Sequence, residues 1–343
     1  MEQQRPIYDI GPFRSSVKNK DTQLNVYVSD KHFKIDVFED ELRSSPAILK
    51  EYLRQVSRQE PDFIPEADED GFYEDTLDEM HDWILRPFMP IFRSLPPLDT
   101  SQRYTLQDCL FAEELHYRVK AEENELVPVF LEESDGKENH LVGAQLPPSN
   151  IDYSMFPFYS PRDIHVAIDE KATSLTAVPR QVFLPGRAEP CFFKIVYAGD
   201  VGITLRELRT YSKIRAIEAG NPIRTPQLHG IVQDDRGSIM GLLLSYIDSG
   251  GSALSCIDVS DPQYSGLPQK WFDQISRTLE VLHAHGIVWG DAKADNVLID
   301  LNENAYLIDF GGGYTEGWVD KGKSDSIEGD LQGLQHIKVF LFP

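Results

Sequence analysis

Residues 285–313 read HGIVWGDAKADNVLIDLNENAYLIDFGGG, and the fold is decided by how this stretch must lie. Two short apolar runs, from Asn296 to Ile299 and from Tyr306 to Ile308, flank the polar turn Leu301-Asn302-Glu303-Asn304. Apolar runs separated by turn residues predict a tight hairpin. A hairpin brings its ends together, so Asn296 before it and Asp309 after it become neighbours although 13 positions separate them. Asp291 and Lys293 sit on the loop just before, at the same mouth. Amide and carboxylate oxygens are hard ligands, suited to magnesium carrying a bound polyphosphate.

Upstream, a helix is predicted from about Pro268 to His285, with Trp271, Ile275, Leu279 and Leu282 on one face, Pro268 in its first turn and Gly286 at its end. GLLLSYI, residues 241–247, is a continuous apolar run of the kind a buried strand shows. A further helix is expected from about Leu205 to Ala219, with Gly220 as its stop. Thr204 and Glu207 have the spacing of a capping box there. IHVAI (164–168), RQVFL (180–184) and CFFKIVY (191–197) read as strands, the last two joined through Pro185-Gly186. His283 and His285 are two apart, so they diverge around a helix and make a poor metal pair.

The first 160 residues read differently. LNVYV and HFKIDVF alternate around Ser29-Asp30-Lys31 and predict a hairpin, while Pro46 to Arg58 and Thr76 to Leu95 look helical, the second broken by Pro87 and Pro90. Glu66, Asp68, Asp70 and Gly71 have the spacing of a calcium loop, but Leu77 stands where its bidentate glutamate belongs, so the stretch reads as a solvated acidic surface. GAQLPPSNIDYSMFPFYSPRD, rich in proline, serine and aromatics, marks a boundary near residue 160.

The chain has 343 residues, 41% hydrophobic and 26% charged, too apolar for a disordered chain. Acids outnumber bases 56 to 33, a formal net charge of −23. Such a surface repels phosphate backbones and anionic lipid, which argues against nucleic-acid or membrane partners. A phosphorylated ligand would need a local cation. The start, MEQQRPIYDI, has no signal-peptide pattern, no run of about 18 apolar residues is present, and Cys109, Cys191 and Cys256 form no CxxC pair. These features lead us to expect a cytoplasmic or nuclear protein with reduced thiols.

The set Asp291, Lys293, Asn296, then Asp309-Phe310-Gly311 resembles the catalytic core of protein kinases, whose loop reads H-R-D-x-x-x-x-N and whose metal motif reads D-F-G. The resemblance covers about residues 163–341, and in pattern it is similar to fungal kinase-like proteins with an N-terminal extension and a Gly-Asp catalytic loop. It implies an α+β, two-lobed kinase-like fold over residues 161–343: a small β-rich lobe over about 161–247 and a helical lobe over about 248–343, truncated after the loop-anchoring helix. An acidic α/β extension over residues 1–160 precedes it. It implies ATP and Mg2+ as cofactors and transfer of the γ-phosphoryl group, more in keeping with a protein serine/threonine acceptor than with a small molecule of the aminoglycoside or choline kinase type.

By that resemblance Asp291 would take up the acceptor's proton and Lys293 neutralise the transferring group. Asn296 and Asp309 would hold the metal. Lys194, steadied by Glu207, would hold the α- and β-phosphates, although the capping role remains open for Glu207. Leu244 and Tyr246 would present backbone groups to adenine, and Asp330 would anchor the catalytic loop.

The pattern also departs from the family. DEKATSLT (169–176) has no glycine where a glycine-rich loop belongs, and Phe192 shares the face of Lys194 where a small residue is usual. Trp289-Gly290 replaces histidine and arginine, and the segment from Asp309 to Asp330 is short and lacks Ala-Pro-Glu. These departures motivate the alternative of a pseudokinase scaffold with weak nucleotide binding. The C-terminal helix, expected over Ile327 to Phe342, would expose Val339, Phe340, Leu341 and Phe342 unless a partner covers them.

Overall fold

Alternation of apolar and polar residues builds the first sheet. In the computed structural model, which describes residues 7–16, 18–59, 76–132, 142–147, 153, 155–176, 178–217 and 223–343, Thr22–Val28 and Lys31–Val37 pair antiparallel from Thr22↔Val37 to Val28↔Lys31. Lys31–Val37 then runs parallel to Glu113–Glu122, which turns back antiparallel onto Glu125–Phe130. Leu24, Val26, Phe33, Ile35 and Val119 point to one face and are buried. Tyr52 from the Pro46–Ser57 helix and Met80 and Ile84 from the Thr76–Leu85 helix join them in one core. The second helical stretch breaks at the prolines, into a 3-10 turn over Arg86–Phe88 and a short helix Met89–Ser94. Glu66, Asp68, Asp70 and Gly71, like Gly220 further on, lie outside the described residues.

Two compact units make up the chain, Met1–Asn139 with Val166–Pro179, and His140–His165 with Arg180–Pro343. Where the sequence suggests one boundary near residue 160, the chain crosses between units three times. The physical reason lies in the first unit, where Ser29 N donates to Thr173 O at 3.1 Å and Leu175 N donates to Ser29 O at 2.7 Å. DEKATSLT therefore belongs to the first unit. IHVAI is strand only over His165–Val166.

In the second unit Cys191–Ile195 pairs antiparallel with Gln181–Phe183 on one side and Ile239–Ser245 on the other, and Ile239–Ser245 continues to Leu228–Gln233. Phe158–Tyr159 runs parallel to that last strand. The Val201–Ala216 helix contributes Leu208, Tyr211 and Ile214 to the core behind this sheet. The Leu267–Ala284 helix buries Trp271, Ile275, Leu279 and Leu282, the stripe its sequence period marks. Beneath it Val297–Ile299 and Ala305–Leu307 form the expected hairpin, with Asp300 Oδ1 accepting from Asn302 N and Asn304 N across its turn. The small sheet and the helical half give the mixed α+β architecture of a two-lobed kinase-like fold.

Two local expectations are corrected. Thr204 sits inside its helix, which begins at Val201 after the N-cap Asp200, so Thr204 and Glu207 make no capping box. The final helix spans Ile327–Leu341, with Leu341 only 2% exposed and Phe340 packed against the core, while Val339 and Phe342 are exposed. Helical geometry turns Leu341 inward and Val339 outward. Among the described residues no helix is long and apolar enough to cross a membrane.

In the first unit Glu79 bridges two helices through Arg54, at 2.8 Å, and Arg58. Their hydrogen bonds depress its pKa from 4.5 to about 2. A depressed carboxylate stabilises the fold above its unfolded pKa and loses that contribution as pH falls through the folded one. Glu79→Gln should therefore lower stability at pH 7 by less than about 1 kcal/mol, as expected of a half-exposed pair. The difference from the parent should shrink between pH 4.5 and 2, which urea midpoints at pH 7 and at an acid pH inside that window would measure.

Candidate active site

Lys194 extends from the central strand of the small sheet, on the face that its neighbour two residues back, Phe192, also uses. Its ammonium lies 2.6 Å from Glu207 Oε1 and 2.9 Å from Asp309 Oδ1. One cation thus joins the strand, the Val201–Ala216 helix and the residue that follows the hairpin. The Glu207 side chain is only 3% exposed, and a carboxylate that deep persists only with a partner. Burial pulls the Lys194 pKa down, but the two carboxylates outweigh it and hold it above the usual lysine value. Burial likewise pushes Asp309 up, and Lys194 more than reverses this and holds it low. For Glu207 burial prevails and its pKa is raised.

Asp309 adopts φ +61°, a left-handed conformation that costs a non-glycine residue about 1–2 kcal/mol. Strained residues of this kind concentrate at working sites. Phe310 beside it is fully buried and packs edge-on to Tyr211, whose helix also carries Glu207.

The loop before the hairpin forms a second cluster. Lys293 Nζ lies 2.8 Å from Asp291 Oδ2. Asn296 Nδ2 donates to Asp291 O at 2.9 Å and to Oδ2 at 3.0 Å. That use of its nitrogen turns its amide oxygen the other way, toward the role of an acceptor or ligand. Thr315 completes the cluster: its hydroxyl accepts from Lys293 at 2.8 Å and donates to Asp291 Oδ1 at 3.0 Å. Nothing in the sequence singled out Thr315. A lone threonine after three glycines has no periodic or spacing signal, and only the course of the 311–326 segment brings it to Asp291.

Asp330, 1% exposed, holds this loop from below. It accepts from Trp289 N at 2.8 Å, from Gly290 N at 2.7 Å and from His283 Nε2 at 2.8 Å. His283 is thereby occupied, and His285 bonds the Val281 carbonyl. Trp289 is fully buried, and its indole N–H reaches Ile308 O at 2.8 Å, tying the loop to the residue before Asp309. Among the described residues no group of three or more histidine, cysteine, aspartate or glutamate side chains is placed to hold a metal; an amide with one carboxylate is a sparser set, of the kind magnesium completes with phosphate oxygens and water.

The remaining expected residues lie on the sheet. Leu244 is buried opposite Phe192, and Tyr246 follows directly after the strand Ile239–Ser245. Arg206 was also unanticipated; it pairs with Asp325 of the 311–326 segment.

No family model matches the chain. It is similar to protein kinase C of Drosophila melanogaster, 30% identical over 118 residues, covering 34% of this chain and 15% of that protein. It is also similar to the serine/threonine-protein kinase grp of Drosophila melanogaster, 36% identical over 78 residues, 22% of this chain and 15% of the relative. Cyclin-dependent kinase 4 of Mus musculus is 30% identical over 112 residues, 32% of this chain and 36% of the relative. The chain thus spans well under half the length of these curated relatives. These modest, partial similarities support a place in the protein kinase-like superfamily.

Asp330→Ala should remove the acceptor of two buried hydrogen bonds and one part-buried one, and lower stability by about 3 kcal/mol. Urea unfolding monitored by tryptophan fluorescence would measure it, and a loss under about 1 kcal/mol would contradict the anchoring role.

Proposed function

We propose that this chain is an ATP- and magnesium-dependent phosphotransferase whose acceptor is a protein serine or threonine hydroxyl. The observation that carries the reading is the Lys194 ammonium held between Glu207 and Asp309, at 2.6 and 2.9 Å. It supplies the local cation that a polyphosphate needs on a chain of net charge −23. Lys194, kept in place by Glu207, would bind the α- and β-phosphates. Asp291 would orient the acceptor hydroxyl and take its proton, its two oxygens aligned by Thr315, Lys293 and Asn296. Lys293 would neutralise charge on the group in flight. Leu244 and Tyr246 would offer backbone groups to adenine.

Asn296 and Asp309 would hold magnesium, which neutralises phosphate charge when bound. The serine/threonine preference draws on Lys293 two places after Asp291 and on relatives named serine/threonine-protein kinases. The Gly290-Asp291 step and the long N-terminal extension favour kinship with fungal kinase-like proteins of that pattern.

A scaffold without turnover is the second reading. It is favoured by Phe192, a bulky ring on the lysine face, and by the glycine-free stretch 169–176, which belongs to the first unit. Thermal unfolding with magnesium-ATP separates the two. A ligand at a hundredfold excess over its Kd stabilises the fold by about 2.7 kcal/mol, so the transition should rise with nucleotide, and no shift at millimolar nucleotide would favour the scaffold. Asp291→Asn should then cut turnover by about 10²–10⁴ and leave that thermal shift in place, as removal of a general base does. Loss of both, or of neither, would contradict its role. Phosphate transfer to a generic protein acceptor against a metabolite panel distinguishes a small-molecule kinase.

A further inference from the structure

Arg206 precedes Glu207 on the Val201–Ala216 helix. Neighbouring helical residues point about 100° apart, so while Glu207 faces Lys194, Arg206 leaves the helix in another direction. Its guanidinium pairs with Asp325. On the way it passes between two glycines. A Cβ on Gly290 would overlap Arg206 Nη2, and one on Gly312 would overlap the guanidinium Nη1 and Cζ. Both glycines have positive φ, +94° and +77°, so any other residue would be strained as well as in the way.

The far end is also built. Asp325 has φ +57°, and its Oδ1 also accepts from Gly313 N at 3.3 Å. Ser324 Oγ donates to Gly313 O at 2.8 Å. These bonds close the two ends of the 311–326 segment on each other, and Thr315 of the same segment orders Asp291 and Lys293.

In protein kinases such a segment is commonly ordered by phosphorylation, through new arginine–phosphate pairs. Here the residue before Asp291 is Gly290, so the catalytic loop offers no arginine, and the helix supplies one instead, to a carboxylate already coded in the chain. We propose that Arg206 is a positioning residue that, through Asp325, locks the 311–326 segment to the helix carrying Glu207 and keeps the site assembled without an added phosphate. This rests on the phosphotransferase reading for its catalytic consequence, though the mechanical coupling stands apart from it.

Hydrogen exchange of the full chain tests the coupling directly. Arg206→Ala and Asp325→Asn should each speed exchange about twofold to fivefold, as a half-exposed pair allows, in both the 311–326 segment and the 201–216 helix. The double variant should go no further than the singles, as coupled sites do, and Asp325→Glu should stay near the parent. Effects that add, or an Asp325→Asn effect that leaves the helix unchanged, would overturn the proposal.

Turnover gives the second readout. Phosphatase treatment should leave the parent's turnover unchanged, and each single variant should lower kcat about tenfold or more, the usual size for loss of an outer support. The KM for ATP should move less than kcat. Abolition of parent activity by phosphatase, or variants within twofold of the parent, would refute the device. A parent with neither nucleotide binding nor turnover would refute the phosphotransferase reading instead, and the exchange pattern would still decide the coupling.

Discussion

The Lys194 ammonium is the point on which the second unit is organised. A lysine that leaves an apolar strand for a partly buried position must find charge to offset its lost hydration, and here two carboxylates from distant parts of the chain supply it. Glu207 is as dependent on Lys194 as Lys194 is on it, because its own side chain is almost fully enclosed. A buried ion pair of this sort contributes little net stability, since desolvation consumes most of the attraction. What it specifies is geometry. A strand, a helix and a hairpin end must all be correctly placed before the three charges meet.

A second set of constraints holds the loop that bears Asp291. Asp330 fixes the backbone at Trp289 and Gly290, and the Trp289 indole fixes the carbonyl of Ile308. The loop bearing Asp291 and the residue preceding Asp309 are therefore tied through one buried ring. This explains how a tryptophan is accommodated where a histidine is usual: its bulk fills the core and its single N–H finds a partner. The loop that carries the polar groups is thus set by backbone anchors.

Legibility in the sequence varied with the range of the interaction. The hairpin and the Leu267–Ala284 helix could be read because spacing and period express local geometry directly. Glu207 showed the limit of that approach. Its spacing from Thr204 satisfied a capping rule, yet the helix starts earlier, at Val201, and the carboxylate serves Lys194 instead. IHVAI had strand composition but is strand over only two residues, since tertiary context overrides propensity. Thr315, Arg206 and Asp325 had no readable signal, because each acquires its meaning from a partner far along the chain.

By itself, then, the sequence marked a strand bearing Lys194, a helix bearing Glu207, and a hairpin flanked by an amide and two carboxylates. Local periodicity suffices for that, because turn and helix geometry operate over a few residues. The tertiary structure alone decided which charges pair, that residues 166–179 belong with the first unit, and that a helix arginine passes between two glycines to reach Asp325. Those outcomes depend on packing between elements far apart in the chain, where desolvation and steric fit, rather than spacing, select the partner.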